Sequence, residues 1–127
     1  MARTFLALFG AILILQACGP STGEVLDMRK RARNLATEDA QAELAKRSYE
    51  DVFGAAACAR SCDAQNAGFR WAAKEEISDP ADCQGHSKSF LAGCKAFAAE
   101  VQRRGEAAAD RAYPIKAAWR PDPSAPE

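Results

Sequence analysis

The chain has 127 residues, 48% of them apolar and 27% charged, and its 17 Lys and Arg balance its 17 Asp and Glu. Phosphate neutralisation needs a basic excess, so this balance argues against nucleic-acid binding. The length bounds the fold to one small domain.

The first element is an export signal. Met1-Ala2-Arg3 supplies one positive charge, and Phe5 to Leu15 is an apolar run of eleven residues. A charged start, an apolar core of about 7–15 residues and a small residue at the cut make a secretory signal. A membrane span needs roughly 20 apolar residues, so the run is too short to remain as one. Leu15-Gln16-Ala17-Cys18 closes it. These four residues resemble the lipobox of bacterial lipoproteins, with Gln16 where Ala, Ser or Val is usual. The resemblance implies that residues 1–17 are removed and that Cys18 carries lipid, palmitate included, as the new first residue. Gly19 rather than Asp after the cysteine implies, by the sorting rules of that family, the outer membrane facing the periplasm. The alternative is an ordinary signal cut nearby, with Cys18 a bystander.

Residues 18–37 read as lipid attachment, a polar spacer and a charged helical arm. Ser21-Thr22-Gly23-Glu24 has capping-box spacing, and Val25, Leu26, Ala32 and Leu35 follow at irregular helical intervals. The arm is too charged for a core element, so a stalk or lightly docked helix over 22–35 is expected. Its basic cluster Arg29-Lys30-Arg31-Arg33 suits either a solvated helix face or anionic head groups. Thr37, followed by Glu38 and Asp39, is placed to restart a helix.

Residues 38–112 form the helical disulfide domain. From 38 to 77 the chain is rich in Ala and charge, without proline. Val52, Ala56, Ala59, Cys62, Phe69, Ala72, Ala73 and Ile77 recur at helical spacing. Gly54 and Gly68 are the candidate breaks, with Asn66-Ala67-Gly68 favoured. Asp79-Pro80 reads as a cap and first helical residue, and Ser87 or Ser89 opens the last helix. Phe90, Cys94, Phe97, Val101 and Ala108 give that helix its stripe, and Tyr113-Pro114 ends it. The tail, 113–127, holds four of the six prolines and is expected to be disordered. The fold class expected is all-α: a disulfide-stapled antiparallel helical hairpin with an extra N-terminal arm and a disordered Pro-rich tail.

With Cys18 assigned to lipid, Cys58, Cys62, Cys83 and Cys94 remain, an even number that in an exported chain implies two disulfides. Reach orders the pairings. If the first long helix runs unbroken to Ile77, Cys62 lies roughly 22 Å and Cys58 roughly 28 Å back along its axis. Six extended steps from Ile77 to Cys83 span at most about 21 Å, plus about 5.5 Å for a bridge. That favours Cys62–Cys83 with Cys58–Cys94, and an earlier helix end near Gly68 relaxes the limit. Residues 68–94, with Gly68-Phe69-Arg70-Trp71 and Gly93-Cys94, are similar to a motif of small exported bacterial proteins. That similarity implies no activity, and Phe69, Phe90 and Gly93 read physically as packing around the bridges.

His86 is the one histidine, and Cys58, Cys62, Cys83 and His86 compose a zinc set on paper. No Cys-x-x-Cys beside a βαβ pattern and no nucleophile–base pair is visible, so catalysis is not expected. The sequence points to a lipid-anchored structural or protein-binding module in the bacterial envelope. Its expected contact lies at the Arg70-Trp71 surface, with the membrane and an envelope protein as partners. The only cofactor expected is the covalent lipid on Cys18. The alternative is a thiol-redox or zinc-binding periplasmic protein using Cys58, Cys62, Cys83 and His86.

Overall fold

A computed structural model of the chain describes residues 20–85 and 87–115. The signal segment, Cys18, His86 and residues 116–127 lie outside the described residues. The fold is all-α and disulfide-stapled. Its helices are α1 (Thr22–Leu44), α2 (Tyr49–Phe53), α3 (Asp63–Lys74) and α4 (Lys88–Ala112), with 3-10 turns at Ala55–Ala57 and Pro80–Asp82.

Local chemistry sets where these helices begin. Ser21 accepts from the Glu24 amide while the Glu24 carboxylate accepts from the Ser21 amide, the reciprocal pattern its spacing predicts. Ser48 and Asp51 repeat that pattern at α2. Ser87 accepts from the Phe90 amide at α4, and Asp79 from the Ala81 amide ahead of the Pro80 turn.

Two expectations are corrected. The boundary at 37/38 falls inside α1, which runs on to Leu44. The Thr37 hydroxyl donates to the Arg33 carbonyl one turn back, at 2.8 Å, rather than capping a new helix. The long helix over 38–77 is instead interrupted from Ala45 to Cys62, apart from the five residues of α2. Gly54 ends α2, with φ +82, a backbone state that other residues resist. Gly68, the break the sequence favours, lies inside α3.

Gly68 is there to let helices touch. A Cβ built on it would stand 2.8 Å from the Phe90 carbonyl carbon, and one on Gly93 would stand 2.7 Å from that of Gln65. The backbones of α3 and α4 therefore meet without a side chain between them. Above this crossing Phe69 packs edge-on against Phe97, with ring centroids 5.0 Å apart. Leu44, Phe69, Ala72, Cys94, Phe97 and Val101 form the buried cluster.

α1 is not a lightly docked arm. It runs antiparallel along the C-terminal half of α4 and delivers Ala40 and Leu44 to the interior. Arg29 donates to the Tyr113 carbonyl at 2.9 Å and pairs with Asp110, and Arg33 pairs with Glu106 at 2.9 Å. Farther along, Gly105 faces Arg33 and Thr37, and Glu43 meets Arg104 at 3.3 Å. Exposed ion pairs contribute only about 0–1 kcal/mol each, so apolar burial dominates the docking while the charges fix its register.

Gly68→Ala and Gly93→Ala should each destabilise the fold by about 1–3 kcal/mol, because overpacking outweighs the gain in helix propensity. Gly23→Ala, with nothing within 4 Å of the added carbon, should be neutral or stabilising by up to about 1 kcal/mol. Urea midpoints of the three variants check the ordering.

Candidate functional site

The four domain cysteines form two bridges, Cys58–Cys62 with Cα atoms 5.3 Å apart and Cys83–Cys94 at 5.9 Å. The pairing Cys62–Cys83 with Cys58–Cys94 is therefore wrong. It followed from a helix unbroken to Ile77. The Gly54 break instead turns residues 54–62 into a loop, which brings Cys58 next to Cys62 at the start of α3. Both bridges are local rather than nested. Cys83–Cys94 belongs to the core and fastens the connection after α3 onto α4. Cys58–Cys62 closes a small loop whose other residues are exposed. In the chain-entropy account the larger loop is worth about 3 kcal/mol and the smaller about 2 kcal/mol.

Arg70 and Trp71 do not form one surface. Neighbours on a helix point about 100° apart. Trp71 is half-buried, with its ring 5.9 Å from that of Phe90 and its body against the core. Arg70 is exposed; the Asp51 carboxyl is held low chiefly by the Ser48 amide that donates to it, then by the Ser48 hydroxyl, with the charges of Arg47 and lastly Arg70 adding to this. Trp71 is thus mainly a packing residue, and the expected Arg-plus-Trp contact is separated by helix geometry.

A feature that sequence reasoning missed lies between α1 and α4. A groove of about 400 Å³ is floored by Ala36, Ala40, Ala107 and Ala108. Asp39 and Glu43 stand on its α1 wall, and Arg103, Arg104 and Arg111 on its α4 wall. The alanines recur at helical spacing in both segments, which is the signal that could have found it. Behind the α4 wall Glu100 accepts from Arg103 at 2.7 Å and from Arg104 at 2.8 Å. These hydrogen bonds, that from Arg103 foremost, outweigh partial burial and hold its carboxyl at about 2. The arrangement presents fixed charge of both signs over an apolar floor, which is binding chemistry.

Among the described residues no group of three or more His, Cys, Asp and Glu is placed to hold a metal. The zinc set drawn from the sequence includes His86, outside those residues, and three cysteines whose sulfurs are in disulfides. Zinc is ligated by thiolate, so that set would require both bridges to be reduced. No family model, curated protein or solved structure matches this chain.

Nonreducing peptide mapping should recover Cys58–Cys62 and Cys83–Cys94 alone. Graded reduction with alkylation should open Cys58–Cys62 first, because both cysteines of Cys83–Cys94 pack in the core cluster while Cys58–Cys62 closes an exposed loop.

The lowered Glu100 carboxyl also gives a pH signature. A folded pKa below the unfolded value contributes stability above the unfolded pKa, here 4.5, and that stability is lost as pH falls toward 2. Glu100→Gln should cost about 1 kcal/mol at pH 7 and progressively less as pH falls below 4.5. Denaturation midpoints of parent and variant at pH 7, 4 and 2.5 measure the convergence.

Proposed function

We propose that this chain is a small lipid-anchored protein of the bacterial envelope whose helical domain acts as a structural or protein-binding module. The observation that carries this reading is the cysteine accounting. Four of the five cysteines close on one another inside the domain, and Cys18 is left at the end of the apolar run. Closed disulfides suit an oxidising compartment, which agrees with export. Acyl chains on Cys18 then hold the domain at the outer membrane, facing the periplasm. Anchoring by several chains is far firmer than the marginal binding of one.

The domain offers that compartment a rigid surface. Its charge is balanced and its groove carries both signs, which suits a protein partner better than a polyanion. The reading assigns no catalytic residue and no cofactor beyond the lipid. The thiol-redox and zinc alternatives would need the bridges opened, and the burial of Cys94 weighs against that.

Cys18→Ser should abolish metabolic labelling with palmitate and leave an unprocessed precursor, while the domain keeps both bridges. A variant that is still processed and still partitions with membranes overturns the anchor. Recovery of the parent protein in the inner membrane alone overturns the outer-membrane placement.

A further inference from the structure

The outward face of α1 carries charges that invert about Leu35, with Arg31 one turn before it and Asp39 one turn after. The residues at 24, 28, 31, 35, 39, 42 and 46 are Glu, Met, Arg, Leu, Asp, Ala and Lys. Steps of three and four keep the six from Glu24 to Ala42 within about 40° of one direction around α1, and Lys46 follows in the turn after the helix. That direction is opposite the side meeting α4, which presents Arg29, Arg33, Ala40 and Leu44. Leu35 stands at the centre and is 65% exposed, the highest value among the exposed large hydrophobics of the described residues. Arg31 and Asp39 flank it one turn away on either side, and neither makes an ion pair among the described residues. Arg29 and Arg33 of the same basic cluster differ, since they are held by Glu106 and Asp110.

We propose that this face binds a second copy of the chain, α1 against α1, antiparallel, with the two-fold axis passing beside Leu35. In that register Leu35 meets Leu35 of the second copy. Arg31 faces Asp39 of the second copy, and the symmetry supplies the same pair again. Met28 covers Ala42 of the second copy, a large residue on a small one. Every contact is self-complementary, which is what a two-fold interface requires. A parallel in-register pair would place Arg31 on Arg31, Asp39 on Asp39 and Glu24 on Glu24, so like charges select the antiparallel form. No ion pair with α4 has to change, because neither Arg31 nor Asp39 makes one. The inference names a partner for the binding-module reading and does not depend on the lipid, and Asp39, which also stands on the α1 wall of the groove, borders both surfaces.

The test uses the full chain in its native compartment. Under mild oxidation Leu35→Cys should give a disulfide-linked dimer on nonreducing gels. Asn34→Cys, about 100° around the helix, should give roughly tenfold less. Added to Leu35→Cys, either Arg31→Glu or Asp39→Arg should lower the dimer roughly tenfold, by turning two attractions into two repulsions. The two charge changes together should restore it, as should mixing the two single variants. Sedimentation of the charge variants without the added cysteine should give the same order, with high salt weakening the parent dimer. Helical content and the native bridges should be unchanged throughout, since these side chains are exposed. Equal crosslinking at Asn34, or no recovery in the charge-swapped pair, overturns the proposal. Failure here with Cys18 still labelled removes the dimer alone, and loss of labelling with crosslinking intact removes the anchor alone.

Discussion

At Gly68 and Gly93 the backbones of α3 and α4 come together with no side chain between them, and that approach decides what the surrounding residues can do. It draws Phe69 onto Phe97 and closes the space that Leu44 and Val101 fill. It also leaves Phe90 at the rim, where Trp71 and Gly85 pack on its ring. A core this small depends on such proximity. Its largest fully buried side chains are Phe69, Phe97, Leu44, Val101 and Cys94, and the last of these is itself half of a crosslink. Small domains are short of apolar area and gain the remainder from covalent staples. Here the staple joins the core to the connection after α3, whose only helical stretch is the 3-10 turn Pro80–Asp82 among the described residues.

Charge is distributed by the same architecture. The basic cluster of α1 looks uniform in sequence, yet helix periodicity turns Arg29 and Arg33 toward Glu106 and Asp110 of α4 while Arg31 points away. Glu100 organises a second group, holding Arg103 and Arg104, and Arg104 extends it to Glu43. No buried side-chain polar atom among the described residues is left without a hydrogen-bond partner. Polar groups thus align the helices from the rim, and the interior is left to apolar contact.

Local features were legible in the sequence and long-range ones were not. The Ser21–Glu24 box, the Asp79-Pro80 turn and the Ser87 start depend on residues three positions apart or fewer. The α4 stripe was readable for a similar reason, and Cys94, Phe97 and Val101 are its buried members. Gly54 and Gly68 show where such reading stops. Both weaken a helix equally by propensity, but one takes a positive φ and the other admits a neighbouring backbone, a difference made by tertiary contact. The reach argument for the disulfides assumes a helix unbroken to Ile77, and the chain's interruption between Ala45 and Cys62 removes that premise. α1 was undervalued because its contact stripe is mostly alanine among charges, which gives little hydropathy signal although it lets α4 come close. The four bridge cysteines were found as a set, whereas Arg70 and Trp71 were joined by adjacency in sequence, which a helix does not preserve.

The bond from Arg29 to the Tyr113 carbonyl fixes where the chain enters and leaves the folded unit. Because α1 and α4 are antiparallel, residue 20 begins and residue 115 ends at the same pole, while the Cys83–Cys94 bridge lies toward the other. A fluorophore or affinity handle attached at residue 115 would therefore sit at the pole where residue 20 begins. Reporters meant to face outward, and proteases used to probe accessibility, should be directed to the exposed residues around Arg60, well away from that pole.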